Sequence, residues 1–136
     1  MLSKHPERCK YPHGHTRTVE VVVSGERLDE NGMLVDFKAL RLALQSYIDR
    51  YDHSMAINSA DPLLPALKEL YPEDAMVVMQ DQEPTTEAIA KDIYDFVAGV
   101  LAAGFQQDQY RILAGSVHLD RVRVWETPSS WAEYGE

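Results

Sequence analysis

Two hydrophobic periods constrain this chain more than any other feature. Between Pro84 and Gly104 the apolar residues Ile89, Ile93, Phe96, Val97, Val100 and Leu101 recur every three or four positions, as on one face of a helix. Residues 16–25, TRTVEVVVSG, instead alternate loosely and are rich in Val and Thr, the pattern of a half-buried strand. A chain with both periods must lay an amphipathic helix on a sheet, because each element has an apolar side that the other can cover. Pro84-Thr85-Thr86-Glu87 supplies a start for the helix, a hydroxyl cap with an acidic first turn, and Gly104 supplies a stop.

The remaining segments fill in one domain over residues 1–136. Asn31-Gly32, between two apolar stretches, predicts a hairpin turn with residues 33–36 as the returning strand. Phe37, Leu40, Leu44, Tyr47 and Ile48 predict a helix over 37–51. Residues 51–62 (YDHSMAINSADP) are expected to be a polar break, 62–71 a short helix with Pro near its start, and 75–80 a strand. Further strands are expected near 110–114 and 119–127, and the tail PSSWAEYGE is expected to be a surface segment. With no internal repeat or low-complexity linker, this order predicts an α+β domain with a mostly antiparallel sheet.

Charge and composition narrow the function classes. The 136 residues carry a net charge of -9, which argues against nonspecific nucleic-acid binding through clustered Lys and Arg. No apolar run approaches the roughly 20 residues that a bilayer span needs, and no secretory leader is evident. A single cysteine, Cys9, cannot form an internal disulfide, and a reducing cytoplasm is the expected setting.

The chemistry-bearing residues cluster at the start of the chain. His13 and His15 flank Gly14, and in an extended segment side chains two apart share a face. Two neutral imidazoles so placed can chelate zinc at about 2.0–2.1 Å per bond. Cys9 sits among Lys4, Arg8 and Lys10, surroundings that suit a proton-carrying or nucleophilic sulfur, although lone cysteines are usually inert core residues. Taken singly, Asp52-His53 reads as a solvated helix end, Thr85-Thr86-Glu87 as an ordinary helix start, and Glu126-Thr127 as an ordinary strand end. His118 reads as a surface histidine, and Trp125 and Trp131 as core or interface residues.

Taken in order, these fragments say more. Cys9-x-x-x-His13-Gly14-His15, a strand, Asn31-Gly32-Met33-x-x-Asp36-Phe37, a helix, Asp52-His53, the Pro84-Thr85-Thr86-Glu87 helix and Val122-x-Val124-x-Glu126-Thr127 together resemble the 6-pyruvoyl-tetrahydropterin synthase family. The three-residue gap between Cys9 and His13 resembles the bacterial 6-carboxytetrahydropterin synthase branch; the mammalian-type members have a longer gap. The resemblance covers about residues 5–134.

It implies the tunnelling fold: an antiparallel sheet with two helices on one face, joined edge to edge with other subunits into a barrel, in a homo-oligomer, a hexamer. It implies zinc held by His13 and His15, and Cys9 as the thiol that moves protons on the substrate side chain. Asp52 and His53 would support that transfer. Glu126 would anchor the donor edge of a pterin, with Thr85, Thr86 and Glu87 helping to hold it. The implied reaction takes 7,8-dihydroneopterin triphosphate to 6-carboxytetrahydropterin, in queuosine biosynthesis. A pyruvoyl-forming or aldolase-like pterin enzyme and a non-catalytic pterin binder are the alternatives. Two departures stand out. The family's first strand, with its first zinc histidine, would fall before Met1, leaving His5, water or an upstream histidine as third ligand. The segment 59–83 is longer than is usual for the branch.

Overall fold

The computed structural model describes residues 1–136. Its main sheet joins β1 (Thr18–Ser24), β6 (His118–Thr127) and β7 (Ser130–Tyr134) in the order β1-β6-β7, antiparallel throughout. Between β1 and β6 in sequence lie α1 (Phe37–Ile48), β2 (Met55–Asn58), α2 (Leu64–Leu70), β3 (Met76–Met79), α3 (Thr86–Ala103), β4 (Phe105–Gln107) and β5 (Tyr110–Ile112). The sheet and the long helix are thus the two elements with the clearest hydrophobic periods.

Alternation along the strands decides which side the helices cover. Val19, Val21 and Val23 of β1 pack against the core together with Leu119, Val122 and Val124 of β6, the strand on which α3 lies. Leu119 and Val122 are three apart and would face opposite ways in a regular strand. The register resolves this: Val22 opposes Arg121 and Val23 opposes Leu119, so Asp120 is an extra residue at a bulge and the core face is kept. Ile89, Ile93 and Val97 of α3 meet these valines, each at most 1% exposed. Helix α1 packs on α3 and on the β4-β5 hairpin. The far face of the sheet is polar and aromatic, with Arg123 bonding Glu133 at 2.8 and 2.9 Å and lying 4.0 Å over the Trp131 ring.

Local chemistry sets the helix ends. Thr85 Oγ1 accepts from the Ala88 amide at 3.1 Å, and Gly104 closes α3 at φ +81. Helix α1 is capped by Asp36, whose carboxylate accepts from the amides of Lys38 and Ala39 at 2.7 and 3.3 Å.

That cap explains the first correction to the sequence reading. Residues 33–36 form no returning strand: Asp29 Oδ1 takes the amides of Asn31 and Met33, closing a compact loop, and Asp36 is committed to α1. The partner of β1 is β6, about a hundred positions on. Two further segments were misread. The polar break contains β2, which pairs in parallel with β3 beside α2, so the sheet content is not all antiparallel. Ile57, Leu64 and Met76 form a small separate core there; β3 stands within the expected 75–80, whereas the four-residue β2, ending at polar Asn58, carries too little alternation to be read. The tail supplies β7, whose inward Ala132 is buried on the core side while Trp131 faces out. Helices α1 and α3 lie as expected, with α2 as a third, short helix.

Candidate active site

A cleft of about 1080 Å³ opens between the N-terminal loop, the end of α1, the start of α3 and the end of β6. All nine residues singled out in the sequence line it. They arrive from four separate stretches of chain, which is why spacing alone left each of them ambiguous.

Glu126 is the node. Alternation places it on the same side as Val122 and Val124, one step beyond the buried core. The ladder slips at this point: Trp125 opposes Trp131 and Thr127 opposes Ser130, so Glu126 has no partner on β7. Its Oε1 lies 3.2 Å from His15 Nε2, 3.4 Å from Arg17 Nη2 and 3.2 Å from Thr86 Oγ1. All three contacts fall on one oxygen, Oε1. Thr85 serves as the helix cap, so Thr86 is the threonine that reaches the site; Glu87 is exposed at the cleft wall.

His13, His15 and Arg17 alternate along one extended stretch, and the two imidazole rings meet edge to face at 5.0 Å. The His13 Nδ1 donates to the Tyr11 carbonyl at 2.6 Å, which leaves Nε2 with a free lone pair, the arrangement usual for a metal-binding histidine. Burial pushes the His15 pKa below its ordinary 6.5; Glu126 pulls it back up, while Arg17, His13 and the amino terminus add to the lowering. His13 Nε2 and, with His15 Nε2 facing Glu126, His15 Nδ1 are the two nitrogens that fit as ligands of a divalent ion. No cluster of three or more His, Cys, Asp or Glu side chains completes a set. His5 does not join them: it lies outside the cleft lining, and its Nδ1 accepts the Glu7 amide at 3.0 Å.

Cys9 sits in a single 3-10 turn, Arg8–Lys10, half-buried with a free thiol, and its carbonyl accepts the Leu2 amide at 2.8 Å. Asp52 and His53 follow the 3-10 turn Asp49–Tyr51 that extends α1. Their side chains bond to each other, Nδ1 to Oδ1 at 2.8 Å, and His53 adopts φ +51 in the left-handed region. The sequence reading missed three residues here. Arg17 carried a legible signal, the continuation of the His13/His15 alternation. Tyr51 and Ser54 did not; Ser54 Oγ lines the cleft, buried and without a partner.

Comparisons with known proteins place the chain in a family. The family model for 6-pyruvoyl tetrahydropterin synthase matches residues 1–136. A protein of Aquifex aeolicus named 6-carboxy-5,6,7,8-tetrahydropterin synthase is 37% identical, over 98% of this chain and 79% of its own. The Bacillus subtilis protein of the same name is 32% identical, over 93% of this chain and 69% of its own. Among solved structures, an uncharacterized protein from Wolinella succinogenes superposes with a TM-score of 0.67 at 25% identity, covering 93% of this chain and 80% of that one. The 6-pyruvoyl tetrahydropterin synthase of Plasmodium vivax shares the fold at a TM-score of 0.65 and 16% identity, over 91% and 80% of the two chains. By match length and by identity to these relatives, the chain belongs to the 6-pyruvoyl tetrahydropterin synthase family and is an enzyme of that family.

Proposed function

We propose that this protein is a zinc-dependent lyase that converts 7,8-dihydroneopterin triphosphate to 6-carboxy-5,6,7,8-tetrahydropterin, releasing acetaldehyde and triphosphate, in queuosine biosynthesis. The observation that carries the reading is Glu126. Its carboxylate is steadied through one oxygen by His15, Arg17 and Thr86, in a cleft that also holds Cys9 and a hydrogen-bonded Asp-His pair. A pterin presents N–H and NH₂ side by side, and a carboxylate is the side chain that accepts from both. Fixing Oε1 removes the rotational freedom of the acid, so the incoming donor edge finds Oε2 already in place.

The proton carriers are the thiol of Cys9 and the imidazole of His53. With Asp52 accepting from Nδ1, the His53 Nε2 bears the lone pair and serves as the base end. His13 and His15 would hold zinc, which would supply Lewis-acid polarisation of the substrate side chain. Thr86 ties the pterin anchor to the start of α3, so binding and helix position are coupled.

The protein is further proposed to act in the cytoplasm as a homo-hexamer; β1 and β7 leave the two edges of the main sheet unpaired, and edge-to-edge closure would satisfy them. No helix is long and apolar enough to cross a membrane.

The deciding experiment incubates the zinc-supplemented protein with 7,8-dihydroneopterin triphosphate and identifies products by chromatography and mass spectrometry. Carboxytetrahydropterin with stoichiometric acetaldehyde is expected. A pyruvoyl product without acetaldehyde would move the protein to the sister activity. The incomplete ligand set favours a second reading, a pterin-binding protein without turnover; it predicts pterin binding with no product at any zinc concentration.

A further inference from the structure

The turn that delivers Asp52 and His53 to the cleft is tied to α3 by a contact outside the proposed chemistry. Tyr51 closes the 3-10 turn Asp49–Tyr51, and its hydroxyl donates to Asp92 Oδ2 at 2.7 Å. Tyr47, one turn earlier on α1, donates to the same oxygen, also at 2.7 Å. Asp92 lies on α3 between Ala88 and Phe96, on the helix that also carries Thr86. One carboxylate oxygen therefore binds two phenols, one at the end of α1 and one in the turn that leads into the pair. Burial, with the Asp92 carboxylate beside it, pushes the Tyr51 phenol far above its ordinary range, and the same causes raise Tyr47. Both remain protonated donors at any working pH.

Little else holds the pair. The Asp52 side chain is 73% exposed and that of His53 94%, and their recorded hydrogen bond is to each other. Packing does not fix side chains this open. Their placement comes from the backbone, which leaves Tyr51 extended at Asp52 (φ -75, ψ 126) and turns left-handed at His53. Fixing Tyr51 fixes where that short stretch begins.

We propose that Asp92 is a positioning residue: through the Tyr51 hydroxyl it sets the Asp52–His53 pair against the cleft, relative to Thr86, which holds the Glu126 anchor from the same helix. This rests on the reading of Asp52 and His53 as the proton-transfer pair. Tyr47 provides an internal control. Its ring stacks on Phe96 at 3.9 Å and lies under the Arg50 guanidinium at 4.5 Å, so Tyr47→Phe keeps its packing and removes a donor that does not lead into the pair.

The test compares Tyr51→Phe, Tyr47→Phe, Asp92→Ala, Asp92→Asn and His53→Ala in the full-length, zinc-supplemented protein. It measures kcat and KM on 7,8-dihydroneopterin triphosphate, fluorescence binding of unreactive pterin, and melting temperature. Misplacement of a reacting group by about 1 Å can cost on the order of 10²-fold. Tyr51→Phe and Asp92→Ala are therefore expected to lower kcat by about tenfold or more, with pterin affinity within about twofold. Asp92→Asn keeps an acceptor oxygen and should recover part of the rate. Tyr47→Phe should stay within about twofold of the parent rate. The proposal is overturned if Tyr51→Phe keeps full kcat while His53→Ala loses it. It is also overturned if Tyr47→Phe loses as much as Tyr51→Phe, since the effect would then be general packing. Full activity of His53→Ala would remove the pair from the mechanism, and the positioning role with it; that result is read separately from the product assay.

Discussion

At Glu126 a change of one atom separates pterin recognition from simple strand-end structure. In Glu126→Gln the amide oxygen is expected to keep the place of Oε1, because His15, Arg17 and Thr86 all donate there. The NH₂ group then replaces Oε2 and faces the donor edge of the pterin. A buried donor left without an acceptor costs roughly 1–3 kcal/mol. Pterin affinity should fall by about tenfold or more, at about 1.4 kcal/mol per factor of ten, with zinc content unchanged. Calorimetry with a pterin analogue checks this, and an unaltered affinity would leave the anchor role without support. Cys9 makes the complementary case. Its side chain has no recorded hydrogen bond, and the Leu2 amide binds its backbone carbonyl. Cys9→Ala should therefore fold and bind pterin normally while losing on the order of 10²–10⁴-fold in turnover, the usual contribution of a general acid or base. Single-turnover kinetics on the variant decide between a proton carrier and a bystander.

Among the elements, α3 has the most demanding ends. Gly104 closes it at φ +81, and an added Cβ would lie 2.9 Å from the Ile112 carbonyl and 3.0 Å from the Ala114 amide. Both neighbours are backbone and cannot swing aside. Gly104→Ala should destabilise the fold by about 1–3 kcal/mol, read as a lower urea midpoint at constant slope. At the other end of α3, Glu83 precedes Pro84 and joins three segments. Its carboxylate accepts from Ser3 Oγ and from the buried Asn58 amide. Burial alone would raise its pKa, but these hydrogen bonds outweigh burial and hold it below the ordinary 4.5. A depressed carboxyl stabilises the fold fully above 4.5, and the contribution is lost as pH falls through the folded value. The melting temperature of the parent should thus fall more steeply than that of Glu83→Gln below pH 4.5, and the gap between them should narrow there. Parallel curves from neutral to acid pH would show that Glu83 contributes nothing through its charge.

On the scale of the whole molecule, one sheet face is covered and the other is not. Helix α3, with α1 packed on it, covers the valine side, while Arg123, Glu133, Trp125 and Trp131 cover the opposite face with an ion pair and tilted rings. A face of this kind tolerates a wet interior better than a packed core. Together with the unpaired edges of β1 and β7, it suits a sheet that continues into other copies around a polar lumen. Light scattering on the purified protein is expected to report a hexamer, and a monomer at micromolar concentration would end the barrel proposal.

The sequence by itself determined the elements whose periods are long and whose ends carry side-chain caps. The α3 pattern with Thr85 and Gly104, the α1 face, and the Val-rich β1 all stand where the residues put them. It also named nine members of the cleft, though only as an ordered series, since each fragment alone had an ordinary structural meaning. The tertiary structure decided the pairings and the convergence. Asn31-Gly32 has the local chemistry of a hairpin, yet β1 pairs with β6, because packing Val19, Val21 and Val23 against the core outweighs a turn preference. β2 and β7 were illegible because short strands take their stability from partners distant in sequence. The same holds for Glu126. Its bulge, its fixed oxygen and its meeting with Thr86 exist only once β6 and α3 are packed together, a matter of position in space that no local spacing encodes.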